Sequence, residues 1–113
     1  GDSAHVNNPI GGMGLNGGIH DAINLAKKLS AVWKGDSDPD LLNLYTRQRH
    51  KASTDFTQAQ TIANKKQLEE RDPILRKKRL NEMRAISEDK EKAKAYMRRA
   101  QLIDSVATTA AIN

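Results

Sequence analysis

Glycines placed directly ahead of an amphipathic segment are the residues of this sequence whose type and spacing could do chemistry. Six of the seven glycines lie in the first eighteen residues, and "GGMGLNGG" spans residues 11–18. Glycines let a ligand approach the backbone closely, and a helix start offers unpaired N–H groups and the positive end of the helix dipole. The segment therefore indicates a site for a phosphate or another anionic group.

Two common phosphate-binding motifs do not fit this segment. A P-loop carries Lys and then Ser or Thr after its last glycine, whereas Leu15 and Asn16 follow Gly14. A dinucleotide-binding fingerprint needs a preceding strand, so the GxGxxG spacing of Gly12, Gly14 and Gly17 is a weak match. A Gly-rich, poorly ordered terminus is the simplest alternative that composition leaves open.

The whole of residues 1–29 resembles a signature of the FAD-dependent aromatic hydroxylases. These are the group A flavoprotein monooxygenases related to p-hydroxybenzoate and phenol hydroxylases. Their pattern is Gly-Asp-Ala-Ala-His, then Pro-Pro-x-Gly-Gly-x-Gly-x-Asn, then a helix reading Asp-Ala-x-Asn-Leu-Ala-x-Lys-Leu. The corresponding stretches here are GDSAH at 1–5, PIGGMGLN at 9–16 and DAINLAKKL at 21–29.

The resemblance implies FAD as the cofactor and assigns contacts to the loop. Asp2 would hydrogen-bond the ribityl hydroxyls, and Pro9 would lie near the flavin ring. Gly11, Gly12 and Gly14 would let the backbone pass beside the isoalloxazine. No catalytic residue is assigned, and no metal ligand is expected, because His5, His20 and His50 share no metal-ligand spacing.

The same resemblance implies that the N–H groups of Leu15 and Asn16 face the pyrimidine oxygen of the flavin. Physical chemistry supports this role, because reduced flavin is negative near that oxygen and a helix N-terminus stabilises an anion. Asn8 stands where the family has its first Pro, which makes the loop less rigid, and Ser3 replaces Ala.

The parent enzyme implied by the resemblance hydroxylates an aromatic small molecule with NAD(P)H and O2. That family's dinucleotide fingerprint and substrate-holding sheet lie upstream of the Gly-Asp motif. We therefore expect a C-terminal fragment that lacks its N-terminal FAD and substrate portion, binds FAD weakly or not at all alone, and is inactive. We also expect a cytoplasmic parent and self-association through exposed apolar faces. Epoxidases, halogenases and reductases of the same family remain alternatives for the reaction.

Periodicity predicts an all-α chain, with three or four helices that form part of a larger α/β flavin-binding fold. Residues 1–35 would be the flavin-contacting Gly-rich loop and first helix, and residues 36–113 a C-terminal basic helical segment. The first helix is expected to begin at Gly17 or Gly18, to run to Trp33 and to end at Gly35.

Acid–proline pairs predict the later helix starts. Asp38 and Pro39 are expected to begin a second helix that runs to about residue 69, and Asp72 and Pro73 a third that runs to about residue 86. A fourth helix fits residues 88–110, and the third and fourth could be continuous.

Several side chains outside the glycine segment are assigned structural roles. Trp33 is expected to anchor a core, and Asp21 and Asn24 to cap and pack the first helix. Arg49 lies on the apolar stripe of the second helix, where we expect a snorkelling side chain rather than a buried partner for a carboxylate. His5 belongs to the signature and is interpreted as structural.

Charge leaves a second function open. The net charge is +5, made up of −2 over residues 1–46 and +7 over residues 47–113. A basic half is compatible with a helical interaction or nucleic-acid-binding module, although its basic residues are interleaved with acids and carry few aromatics to stack on bases. Disulfides and thiolate metal sites are excluded, since there is no cysteine, and no apolar run is long enough to span a bilayer.

Overall fold

A computed structural model, which describes all 113 residues, is mostly helical and contains no strand. The α-helices are α1 (Met13–Trp33), α2 (Leu41–Ala52), α3 (Ala59–Glu69), α4 (Pro73–Glu88), α5 (Lys90–Ala100) and α6 (Ile103–Ala110). A π-helical segment, Ser53–Gln58, joins α2 to α3 in one continuous rod. The all-α prediction is confirmed, with five helical rods instead of three or four. No helix combines the length and the apolarity that crossing a membrane requires.

The first helix begins at Met13, four residues before the predicted start. Gly11 and Gly12 adopt left-handed conformations with φ of 99° and 63°, and the N–H of Gly12 donates to the carbonyl of Pro9 at 3.0 Å. Glycine adopts positive φ at little cost, so the chain can turn sharply into a helix here. The prediction was wrong because it treated the later glycines as loop, whereas Gly17 and Gly18 lie inside α1.

The end of α1 agrees with the prediction. Gly35 has φ of 76°, its N–H donates to the carbonyl of Val32, and the N–H of Asp36 donates to the carbonyl of Ala31. This pair of bonds is the Schellman motif, which satisfies the last carbonyls of a helix and favours glycine at the left-handed position.

The predicted second helix is confirmed from residue 41 to residue 69, but it starts two residues late. Asp40 is its N-cap residue, because the carboxylate of Asp38 accepts the N–H of Asp40 at 2.8 Å and holds Pro39 in a turn. The third helix starts as predicted. Asp72 caps α4 by accepting the N–H of Ile74 at 2.7 Å, with Pro73 in the first position.

The predicted fourth helix is broken into α5 and α6. Asp89 separates α4 from α5, because its carboxylate accepts the N–H groups of Glu91 and Lys92. Leu102 separates α5 from α6 with a φ of 60°, and its side chain is almost fully buried. A left-handed leucine costs about 1–2 kcal/mol, which burial of its side chain offsets.

The molecule is elongated and has a small, mostly polar core. It measures 59 × 29 × 19 Å, and its radius of gyration is 17.3 Å, against about 13 Å for a compact chain of this length. Only three apolar residues are buried, namely Met13, Ala52 and Leu102, against eight polar or charged ones. Helix α4 has no buried residue, so its stability depends on local interactions.

This dependence makes the cap of α4 a direct test of the fold. We expect Asp72→Ala to destabilise the first turn of α4 by about 1 kcal/mol, because the N–H of Ile74 loses its acceptor. Faster amide hydrogen exchange at Ile74 would report the loss. Asp36→Ala, in the turn after α1, should leave exchange at Ile74 unchanged, and equal effects of the two variants would contradict the capping role.

Candidate functional site

Helix α1 packs on the rod of α2 through its small and polar face. Gly14, Gly17 and Gly18 line a narrow crevice opposite Ser53 and Thr57 of the π segment. A Cβ on Gly17 would meet no atom within 4 Å, whereas Cβ atoms on Gly14 and Gly18 would contact Asp2 and Gly1 of the loop at 3.7 and 3.8 Å. Gly17 also accepts a long hydrogen bond of 3.5 Å from Arg49 through its carbonyl.

Most of the apolar stripe of α1 therefore points away from the rest of the chain, while Ile23 borders a cleft shared with α2 and α6. We use the term apolar stripe for Ile19, Ala22, Ile23, Ala26, Leu29 and Trp33, all of which are exposed. The expectation that Trp33 anchors a core was wrong, since the side chain is 88% exposed. Periodicity identified the helix correctly, but the face that packs within this chain is the opposite one.

Asp21 lies at the centre of the contact between the loop, α1 and α2. The residue is 3% exposed. One carboxylate oxygen accepts the Nε–H of Arg49 at 2.5 Å. The other accepts the amino group of Gly1 at 2.6 Å and lies 2.8 Å from Nε2 of His5. We call these four residues the Asp21 cluster.

The Asp21 cluster corrects two predictions from the sequence. Arg49 is buried and paired with a carboxylate, so the interpretation as a snorkelling side chain was wrong. Asp21 lies in the interior of α1 and does not cap it. The contact of His5 with Asp21 agrees with a structural role for this histidine.

Burial alone would raise the pKa of Asp21, since a carboxylate loses hydration there. Hydrogen bonds from the Gly1 amino group, Arg49 and His5 outweigh this effect, together with the positive charge of Arg49. The pKa of Asp21 consequently lies below its ordinary value of 3.8. The cluster thus holds an ionised carboxylate in the contact between the helices.

A second polar cluster lies along the same face, around Gln48. Its side-chain oxygen accepts from Asn24 at 3.1 Å and from the ammonium of Lys28 at 2.8 Å. Its amide nitrogen donates to the carbonyl of Ile112 at 3.0 Å. Gln48 thereby connects α1, α2 and the end of the chain, a role that sequence reasoning missed.

The loop residues predicted to contact a cofactor surround the start of α1. Pro9, Gly11 and Gly12 form the turn that leads into the helix, and all three are exposed. Leu15 and Asn16 follow in the first helical turn and are exposed as well. No side chain caps this helix start, and its first turn contains no acid. Its N–H groups and dipole are thus left for an external anion.

Asp2 lies beside this helix start. A Cβ placed on Gly14 would come within 3.7 Å of the Asp2 carboxylate, whereas one on Gly12 would meet no atom within 4 Å. Asn7 lines the crevice next to Asp2, and its amide nitrogen is buried without a hydrogen-bond partner. The site thus combines an exposed carboxylate and an unused donor with open backbone at Gly12, whereas a Cβ on Gly11 would lie 2.5 Å from the Asn64 side chain. No three His, Asp or Glu side chains converge as a metal site would require.

Comparison with known families shows the family to which the chain belongs. A family described as an FAD binding domain matches residues 1–60, which include the loop, α1, α2 and the π segment. The chain belongs to this FAD-binding family. The resemblance inferred from the first 29 residues is therefore confirmed, and nothing in the comparisons supports the nucleic-acid-binding alternative.

Curated relatives of the chain include aromatic monooxygenases. It is 42% identical over 76 residues to the para-nitrophenol 4-monooxygenase of Pseudomonas sp. (strain WBC-3), which covers 67% of the chain and 19% of the relative. It is 55% identical over 49 residues to the tetracenomycin A2 monooxygenase-dioxygenase of Streptomyces glaucescens, 43% of the chain and 9% of the relative. The pentachlorophenol 4-monooxygenase of Sphingobium chlorophenolicum is 47% identical over 49 residues, with the same coverage.

The chain spans at most about a fifth of the length of these relatives. No solved structure matches it significantly.

Because of the Asp21 cluster, we expect the stability of the fold to decrease at acid pH. The carboxylate has a lowered pKa in the fold, so its contribution to stability is complete above pH 3.8 and is lost as pH falls through the folded pKa. We expect the free energy of unfolding in urea to fall below pH 3.8, by up to about 1.4 kcal/mol per pH unit. In a carbon-13 NMR titration, the Asp21 carboxyl should titrate below 3.8, and a midpoint above that value would contradict the cluster.

Proposed function

We propose that this chain is the part of an FAD-dependent aromatic monooxygenase that contacts the ribityl chain and the isoalloxazine ring. The observation that carries the proposal is the exposed, uncapped start of α1, with the turn of Gly11 and Gly12 before it and Asp2 beside it. Within this proposal, residues 1–35 supply the cofactor contacts. Residues 36–113 form the basic helical segment that supports them.

The loop residues would bind and orient the cofactor. Asp2 would accept hydrogen bonds from ribityl hydroxyls, and its exposed carboxylate supports this role. Pro9 would border the flavin ring. Gly11, Gly12 and Gly14 would let the ring lie against the backbone, and the space around Gly12 supports such an approach.

Leu15 and Asn16 would present the start of α1 to the pyrimidine end of the ring. The N–H of Leu15 lies one residue before the first N–H group that can bond a carbonyl within the helix. It is therefore free to donate to a ligand. The N–H of Asn16 is the first that can bond back to the carbonyl of Gly12 within the helix. Asn16 would therefore act on the ring mainly through the helix dipole and not through a hydrogen bond of its own. The positive helix end would stabilise the negative charge that the ring takes on.

The bound FAD would supply the redox chemistry, with NAD(P)H as reductant and O2 as oxidant. The names of the para-nitrophenol and pentachlorophenol monooxygenases support an aromatic substrate. A parent that depends on NAD(P)H fits the cytoplasm, where that nucleotide is supplied.

The apolar stripe of α1 supports a further part of the proposal, namely that other parts of a longer flavoprotein cover it. A contiguous apolar face of this length is unusual on a monomer and favours burial against a partner. Without such cover the chain would self-associate. It would also bind FAD weakly or not at all and would not turn over, since no pyrophosphate-binding or substrate-binding sheet is present.

Two titrations test this proposal. FAD added to the purified chain should bind more weakly than micromolar by isothermal calorimetry, and tighter binding would contradict the incomplete site. In a second experiment, residues 1–60 replace the matching segment of the Pseudomonas para-nitrophenol 4-monooxygenase. We call this chimera the exchange protein, and its bound flavin is measured.

In that exchange protein, Asp2→Asn should weaken FAD binding about tenfold or more, since a hydrogen bond to a charged group contributes roughly 1.5–3 kcal/mol. The neighbouring Ser3→Ala is the matched control and should bind FAD like the unsubstituted exchange protein. Equal FAD affinity in both variants, or an unsubstituted exchange protein that holds no flavin, would overturn the assignment.

A further inference from the structure

A basic cleft separate from the proposed flavin site opens between α1, α2 and α6. It has a volume of about 290 Å³, and none of the seven predicted flavin-contacting residues lines it. The ionisable residues on its walls are His20, Lys27, Lys28 and Arg49. No Asp or Glu lines the cleft, so its walls carry positive charge alone.

Two of these charges have no negative partner. Arg49 is neutralised by Asp21, but the eight ion pairs of the molecule include neither Lys27 nor Lys28. The ammonium of Lys28 donates to neutral amide oxygens, at 2.7 Å to Asn24 and 2.8 Å to Gln48. An ammonium has three donors, so one donor of Lys28 remains unused.

The surroundings of Lys28 disfavour its charged form, as expected for a cation without a negative partner. Burial lowers the pKa of Lys28 below 10.5, and the positive charges of Arg49 and Lys27 lower it further. An anion would stabilise this partly buried ammonium more than its neutral acceptors do, because a charge-assisted hydrogen bond is about twice as strong as a neutral one.

We propose that this cleft binds a phosphate-class oxyanion between the ammonium groups of Lys27 and Lys28, with His20 at its wall. A dianion would balance the two unpaired lysine charges and accept the unused donor of Lys28. The cleft volume accommodates a phosphate group with its hydration. Because the cleft shares no residue with the predicted flavin contacts, the proposal does not depend on the proposed function.

The test is a titration of the nitrogen-15-labelled 113-residue chain with inorganic phosphate, at constant ionic strength maintained with sodium chloride. We expect saturable amide shifts at His20, Lys28 and Thr109, which line the cleft. Shifts that never saturate, shifts spread over α4 and α5, or a spectrum without helical dispersion would each overturn the proposal.

Gln48→Glu is the decisive variant, because it places a carboxylate where the amide oxygen now lies 2.8 Å from the Lys28 ammonium. The internal anion should weaken phosphate binding about tenfold or more, as should Lys28→Met. Lys94→Gln, which removes an exposed lysine of α5 outside the cleft, should leave the affinity within about twofold. Unchanged phosphate affinity in Gln48→Glu would contradict the site.

Discussion

A single buried negative charge organises the amino-terminal half of this molecule. The Asp21 carboxylate has lost its hydration, so its position is stable only while donors from neighbouring segments surround it. Arg49 supplies a donor from α2, and His5 contacts the carboxylate from the loop. The ion cluster thereby fixes the loop, α1 and α2 relative to one another. The start of α1 and the carboxylate of Asp2 are held together as a consequence.

The Asp21 cluster also determines which face of α1 meets the rest of the chain. A helix that presents Asp21 to α2 also presents the residues one turn before it, which are Gly17 and Gly18. The apolar stripe is then left on the outer surface, and the core contains few apolar residues. Such a molecule fits the role of a segment within a larger flavoprotein better than that of a self-sufficient domain.

Features set by neighbouring residues were predictable from the sequence. Gly35 and Asp72 were placed correctly because helix ends depend on backbone bonds within a few residues. The FAD-binding family was recognisable for a similar reason, since its signature is a contiguous run of loop and helix. The start of α1 was misplaced, because glycine permits both a left-handed turn and a helix, and composition does not separate the two.

Features set by distant residues were not predictable. Arg49 on an apolar stripe was expected to snorkel, because its partner Asp21 lies 28 residues away and no local pattern identifies that residue. Trp33 fitted a core position by periodicity, although the helix buries its other face within this chain. The left-handed Leu102 and the π segment carry no sequence signal that we can identify.

The most direct test of the account is a double-mutant cycle on Asp21→Asn and Arg49→Gln, read out as the free energy of unfolding by native-state hydrogen exchange. Each single variant should destabilise the chain by about 3 kcal/mol, because it leaves a buried polar or charged group without its partner. The double variant should cost at least about 1 kcal/mol less than the sum of the single variants. Additive costs would contradict the central role of this ion pair.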